Sequence, residues 1–164
     1  VQPAVNSAVT PTPAAPTISS KSGRSLFWAI AVLSLAGIIV SGESLQRHYA
    51  KSATSFCQFG EKFNCDIVNR SEYSSIVGIP VAAIGVIGYF LLLALSTYYR
   101  LRVETPTRLL WASLAGLVFA LYLTYVEAYV LETWCILCLS SLALISIITL
   151  LAAIMKRQAS KHAP

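Results

Sequence analysis

Charge is what this 164-residue chain has least of. Asp, Glu, Lys and Arg make up 12% of it, against an apolar fraction of 56% and a mean hydropathy of +0.68. A soluble globular domain carries about a quarter of its residues charged. The few charges cluster outside four long apolar segments, so the chain reads as one integral membrane domain. The net charge of +5 does not come from a basic stripe with interleaved aromatics, which argues against nucleic acid as a partner. Cysteine is scarce too: four residues are too few for a disulfide-rich scaffold. Residues 1–23 lack the basic and apolar regions of a signal peptide and any apolar periodicity. Their Pro, Ala, Thr and Ser predict a disordered tail. The chain opens on Val1 rather than Met, as a piece of a longer product would.

The apolar segments predict an all-α integral membrane fold, a four-transmembrane-helix bundle over residues 24–156. The spans are expected at about 26–43, 76–99, 109–131 and 136–155, with a cytoplasmic tail at 157–164. Pro80 stands near the start of the second, where proline is tolerated. The one substantial connection is an external loop, 44–75, within which an amphipathic helix around Ser44–Thr54 could lie across the bundle end. Lys21, Arg24, Arg100, Arg102, Arg108, Lys156, Arg157 and Lys161 fall on one side of the spans. Arg47, Lys51, Lys62 and Arg70 fall on the other, offset by Glu43, Glu61, Asp66 and Glu72. The positive-inside rule then puts both termini in the cytoplasm. All four cysteines land outside, in a compartment where disulfides persist.

Those cysteines come as two pairs. Cys135 and Cys138, in Trp134-Cys135-Ile136-Leu137-Cys138, open the last apolar run. Residues i and i+3 share a helix face and are close enough to bridge. At a helix start, free N–H groups and the macrodipole favour a thiolate, the nucleophile of disulfide exchange. Cys57 and Cys65 lie in the external loop with Gly60 between them, so a turn can bring them together. A loop pair that a soluble partner can reach, next to a pair fixed at a helix mouth, suits an electron relay. Two static disulfides, or a zinc site of four thiolates, remain alternatives in a non-catalytic scaffold. The loop spacing is wider than zinc sites normally use, and only His48 is near. No metal is expected.

The run FCQFGEKFNCDIVNRSEYSSIVGIPVAAIG, with WCILC opening the fourth span, resembles the vitamin K epoxide reductase family in its bacterial form. The resemblance covers roughly Leu26 to Met155. It rests on the loop pair, Ser71 six residues after Cys65, Gly78-Ile79-Pro80 before span two, and the terminal Cys-x-x-Cys. It implies a membrane thiol oxidoreductase built around a quinone, ubiquinone or menaquinone, bound as co-substrate. Cys138 would meet the quinone in a charge-transfer or covalent adduct. Cys135 would exchange with Cys65, and Cys57 would take electrons from a periplasmic thioredoxin-like protein. Ser71 would lie near the quinone. The implied setting is a bacterial inner membrane, and the implied result is disulfide formation in exported proteins. Many bacterial members carry a fused thioredoxin-like domain; with the chain ending at Pro164, a separate partner is expected. Leu142 stands where epoxide-reducing animal members have Tyr, which makes vitamin K epoxide the less favoured substrate.

The quinone wall is further expected to include Glu127, whose carboxyl in an apolar span should point inward, with Leu123 and Leu131 one turn to either side. Val81 and Leu142 are candidates from the neighbouring spans. Tyr122 is placed in the wall, while Tyr129 on the same helix reads better as an interfacial anchor, as do Trp28, Trp111 and Trp134. Gly78, Ala82, Gly85 and Gly88 read as small-residue helix packing. His48 reads as a solvated loop residue.

Overall fold

A computed structural model describes residues 21–50, 62–99, 102 and 104–161. Most of the expected N-terminal tail, the loop segment 51–61 with Cys57, and the last three residues lie outside the described residues.

The chain forms helix α1 (Lys21–Tyr49), a short helix α2 (Cys65–Arg70), and a 3-10 turn (Glu72–Ser74). A minimal hairpin follows, β1 (Ser75–Ile76) and β2 (Ile79–Pro80), and then α3 (Val81–Thr97), α4 (Thr105–Tyr129) and α5 (Ile136–Lys161). Helix α1 packs against α3 and α5, and α4 against α5 and α3, so the four long helices close a ring; α2 sits on α1. Three of them, α1, α4 and α5, are long and apolar enough to cross a membrane. With 17 residues, α3 is about 25 Å long, somewhat less than a ~30 Å hydrocarbon core.

The shorter α3 corrects the expectation of a span from residue 76. Residues 76–80 are apolar but not helical. Ser75 pairs with Pro80 and Ile76 with Ile79 around Val77-Gly78, both with positive φ (53° and 79°). Two consecutive positive φ values are what a type I′ two-residue hairpin turn requires. Pro80, extended at φ −58° and ψ 132°, then hands the chain to the helix. Hydropathy counts these residues as part of a span; the turn takes them out.

Helix α1 also differs from expectation. It continues to Tyr49, so residues 44–49 are its last turns rather than part of a separate helix across the bundle end. Its inward stripe is regular: Phe27, Ile30, Ser34, Ser41 and Ser44 are buried, while Trp28, Val32, Leu35 and Ile39 are exposed. Spacings of three and four residues keep such a stripe on one face. The stripe is apolar at one end, where Phe27 and Ile30 join Tyr89, Leu92, Leu109, Ile145, Ile148, Ala152 and Met155 in the main core. It turns polar toward the other. The outward apolar side chains of α1, α3, α4 and α5 form a surface that water would not tolerate and lipid would.

Tyr89 marks the boundary between apolar core and polar end. Its ring lies against Gly37 of α1, where an added Cβ would overlap the ring carbons. Its hydroxyl reaches α5, bonding the Ser141 carbonyl at 2.8 Å and Ser141 Oγ at 2.9 Å. One side chain thus ties three helices. Gly37→Ala should cost about 1–3 kcal/mol through overpacking, read as a lower melting temperature in detergent; an unchanged melting curve would disprove this packing.

Candidate active site

The site is assembled where α2 meets the start of α5. Asn64 N–H donates to the Trp134 carbonyl at 3.1 Å, and Trp134 N–H donates to the Lys62 carbonyl at 2.9 Å, an isolated parallel bridge between Phe63 and Trp134. Trp134 is therefore more than an interfacial anchor: its backbone fixes the loop to the bundle. The residues just past this bridge are Cys65 and Cys135. Asn64 caps α2 by accepting the N–H groups of Asp66 (3.0 Å) and Ile67 (3.2 Å), which starts the helix at Cys65. Both cysteines are buried, Cys65 to 1% and Cys135 to 0% exposure, and they share one cluster with Val68. Leu131, Leu137 and Cys138 pack against it. Cys65 is disulfide-bonded, whereas Cys135 and Cys138 are free thiols.

Cys135 immediately precedes the first helical residue of α5. The hydrogen bond from the Cys138 thiol is the largest influence on it, and with help from the backbone N–H groups of Cys138 and Leu137 it holds the Cys135 thiol below its usual 9.0. Burial and the Glu127 carboxyl oppose this without reversing it. The hydrogen bond from its neighbour thus eases Cys135 toward its thiolate form. Its thiolate absorbance should rise with pH through a midpoint below that of an ordinary thiol. In Cys138→Ala the midpoint should move up, because the largest stabilising bond is lost. A midpoint unmoved by that substitution would show that the pair is not coupled.

Two side chains hold this arrangement. Glu127 on α4 is 1% exposed; its Oε2 accepts the Cys135 backbone N–H at 3.1 Å, and its own carbonyl accepts Thr133 N–H at 3.2 Å. The carboxylate of one helix therefore satisfies a backbone donor at the start of the next. Its second oxygen, Oε1, is buried with no partner of hydrogen-bond geometry among the described residues, though the Cys138 thiol is near enough to interact with the carboxyl. Asn69, one turn after Cys65 on α2, is 7% exposed. Its Nδ2 donates to the Cys65 carbonyl (3.0 Å) and, at 3.8 Å, to Cys135 Sγ; its Oδ1 accepts Ser44 Oγ–H from α1 at 2.6 Å.

A mostly apolar cavity of about 420 Å³ opens beside these thiols, within the ~300–1,000 Å³ common for small-molecule sites. Ser71, Val81, Leu123, Glu127, Leu131 and Cys138 line it. The structure does not bring Tyr122 or Leu142 to it. Tyr122 is 54% exposed on the outer face of α4 with Tyr125 and Tyr129, and Leu142 is half-buried elsewhere on α5. A tyrosine triplet at helical spacing fits either face of a helix, and here packing turns it outward. Ser71 closes α2, its hydroxyl donating to the Val68 carbonyl at 2.8 Å. Ala82, Gly85 and Gly88 line the cavity as well; of the three glycines expected to bring helices together, only Gly85 meets a neighbour closely, Ser41 Oγ at 2.9 Å from an added Cβ.

Asn69, Ser44, Tyr89, Ser141 and His48 are cavity residues that the sequence reading did not single out as such. His48 is not a solvated loop residue: it is half-buried on α1, and its Nδ1 lies 2.6 Å from the Asn69 carbonyl. A signal was there to be read. His48 follows Ser41 and Ser44 on the inward stripe of α1, and Asn69 follows Cys65 by four residues on one face of α2. Among the described residues no group of three or more His, Cys, Asp or Glu side chains is placed to hold a metal. A family model described as "Vitamin K epoxide reductase family" matches residues 28–153.

Proposed function

Since the chain belongs to the vitamin K epoxide reductase family of membrane oxidoreductases, we propose that it carries electrons from an external thioredoxin-like dithiol to a quinone. The relay runs through Cys57 and Cys65, then Cys135 and Cys138. α3 acts as the fourth span, both termini face the cytoplasm, and the cysteines face the periplasm of a bacterial inner membrane. The observation that carries this reading is the position of the thiols: Cys65 packs against Cys135, and Cys138 lines the apolar cavity.

The chemistry follows from that order. A partner dithiol reduces the Cys57–Cys65 disulfide, and Cys65 then exchanges with a Cys135–Cys138 disulfide, leaving the helix pair as the dithiol. Cys138 passes its proton to Glu127 and attacks the quinone ring, forming a carbon–sulfur bond. Cys135 thiolate attacks the Cys138 sulfur; the carbon–sulfur bond breaks, its electron pair stays with the ring, and the Cys135–Cys138 disulfide forms. In sum, the dithiol loses two electrons and two protons, and the quinone gains both. The apolar walls suit a ring from the lipid phase and keep water from the thiolate. Val81, Leu123 and Leu131 supply such wall, and Ser71 lines the same cavity.

The test is anaerobic turnover of the purified protein with a dithiol reductant and a short-chain ubiquinone analogue. Wild type should consume the quinone and Cys138→Ala should not. Failure of the wild type with both ubiquinone and menaquinone analogues would return the cysteines to a structural role.

A further inference from the structure

Reduction of a quinone places protons on two oxygens at opposite edges of its ring, and Glu127 with Cys138 accounts for one of them. Of the side chains lining the cavity, His48, Tyr73, Tyr89, Glu127 and Cys138 carry acidic protons. Imidazole is the one among these types that normally gains and loses a proton near neutral pH. It belongs to α1, which also presents Ser44, and it bonds the carbonyl of Asn69 on α2. Those two are committed elsewhere, Ser44 Oγ–H to Asn69 Oδ1 and Asn69 Nδ2 to the Cys65 carbonyl.

The contacts of the imidazole fix its tautomer. Nδ1 is 2.6 Å from the Asn69 carbonyl, a group that can only accept. It is also 3.3 Å from Ser74 Oγ, whose own hydrogen goes to the Ser71 carbonyl at 2.6 Å, so this hydroxyl accepts as well. Nδ1 must therefore carry the hydrogen and share it between two acceptors, which leaves Nε2 as the nitrogen that exchanges protons. The ring is held edge-on against Tyr49 (centroids 5.0 Å apart, planes at 87°) at the end of α1, where it lines the cavity and stays partly exposed. Such a group is held in place, and among the described residues its Nε2 has no hydrogen-bond partner.

We propose that His48 is the general acid that protonates the second quinone oxygen, the one that Glu127 does not serve. This rests on the quinone reading above. The proton count closes with it. Cys138's proton travels through Glu127 to the first oxygen. Cys135 enters the reaction as a thiolate, its proton already released to external water. His48 gives an equivalent proton to the second oxygen and is re-protonated from the same external water. Two electrons and two protons leave the dithiol, and two of each arrive on the ring.

The experiment compares wild type with His48→Asn and His48→Gln, purified as full chains. Asn retains an N–H donor near the place of Nδ1, and Gln near that of Nε2; neither is an acid. Two rates are measured: turnover with a short-chain ubiquinone analogue, and oxidation of the Cys135/Cys138 dithiol by a small aromatic disulfide, which needs no carbonyl protonation. Both variants should lose about 10²-fold or more in kcat with the quinone while the small-disulfide rate stays within about two-fold of wild type. Full quinone turnover in either variant, a rise confined to KM, or an equal loss in both rates overturns the assignment. If the wild type itself oxidises with the small disulfide but never with a quinone, the functional reading falls, and the His48 role falls with it.

Discussion

Cys138→Ala should accumulate a Cys65–Cys135 disulfide. In the structure Cys65 is already disulfide-bonded, and it is buried in one cluster with Cys135. With Cys138 present, the mixed disulfide that Cys135 forms with Cys65 is resolved, because Cys138 can attack the Cys135 sulfur, displace Cys65 as a thiolate and close the helix pair. Without it, Cys135 attacks the Cys65 sulfur, the existing bond breaks, its other sulfur leaves as a thiolate, and the mixed disulfide has no internal resolving thiol. Peptide mapping under non-reducing conditions should find this crosslink as the dominant species, with a freed thiol elsewhere in the chain. Further replacement of Asn64 by Ala should reduce its yield, since the cap that starts α2 at Cys65 is lost, at about 1 kcal/mol. No crosslink, even after long incubation, would mean that the bridge between Phe63 and Trp134 does not hold the two thiols within reach.

Glu127 offers the second large effect, and two substitutions separate its roles. Glu127→Gln keeps an oxygen for the Cys135 N–H but cannot take a proton from Cys138. Quinone reduction should slow by about 10²–10⁴-fold, the usual contribution of a positioned base, with the melting temperature little changed. Glu127→Leu removes the acceptor as well and leaves a buried N–H unpaired. A further cost of about 1–3 kcal/mol in stability is expected, seen as a lower melting temperature in addition to the lost turnover. Stopped-flow quinone bleaching and thermal melting in detergent distinguish the two. Turnover of Glu127→Gln equal to wild type would confine Glu127 to holding the start of α5.

These expectations also show which parts of the protein its sequence specifies unaided. Membrane character, the positions of three crossing helices and the family follow from hydropathy and a few motifs, because lipid imposes long apolar runs and disulfide exchange imposes paired thiols. The inward placement of Glu127 follows too, since a carboxyl facing lipid costs several kcal/mol. The start of α3 did not follow. Hydropathy cannot see that Val77 and Gly78 take positive φ and turn Ile76 back on Ile79. Nor did the cavity wall. Tyr122 and Tyr125 have the composition of a ring-binding surface, yet the packing of α4 against α3 and α5 turns them to the outside. His48 and Asn69, polar residues that look like loop, are brought in because α1 runs two turns further than its apolar stretch and α2 docks on it. The nearness of Cys65 to Cys135 depends on contacts across seventy residues of chain: one backbone bridge and one side-chain amide. Local sequence sets which face of a helix is apolar and where a helix can begin. Which faces meet, and so which side chains share a cavity, is decided only when the helices close on one another.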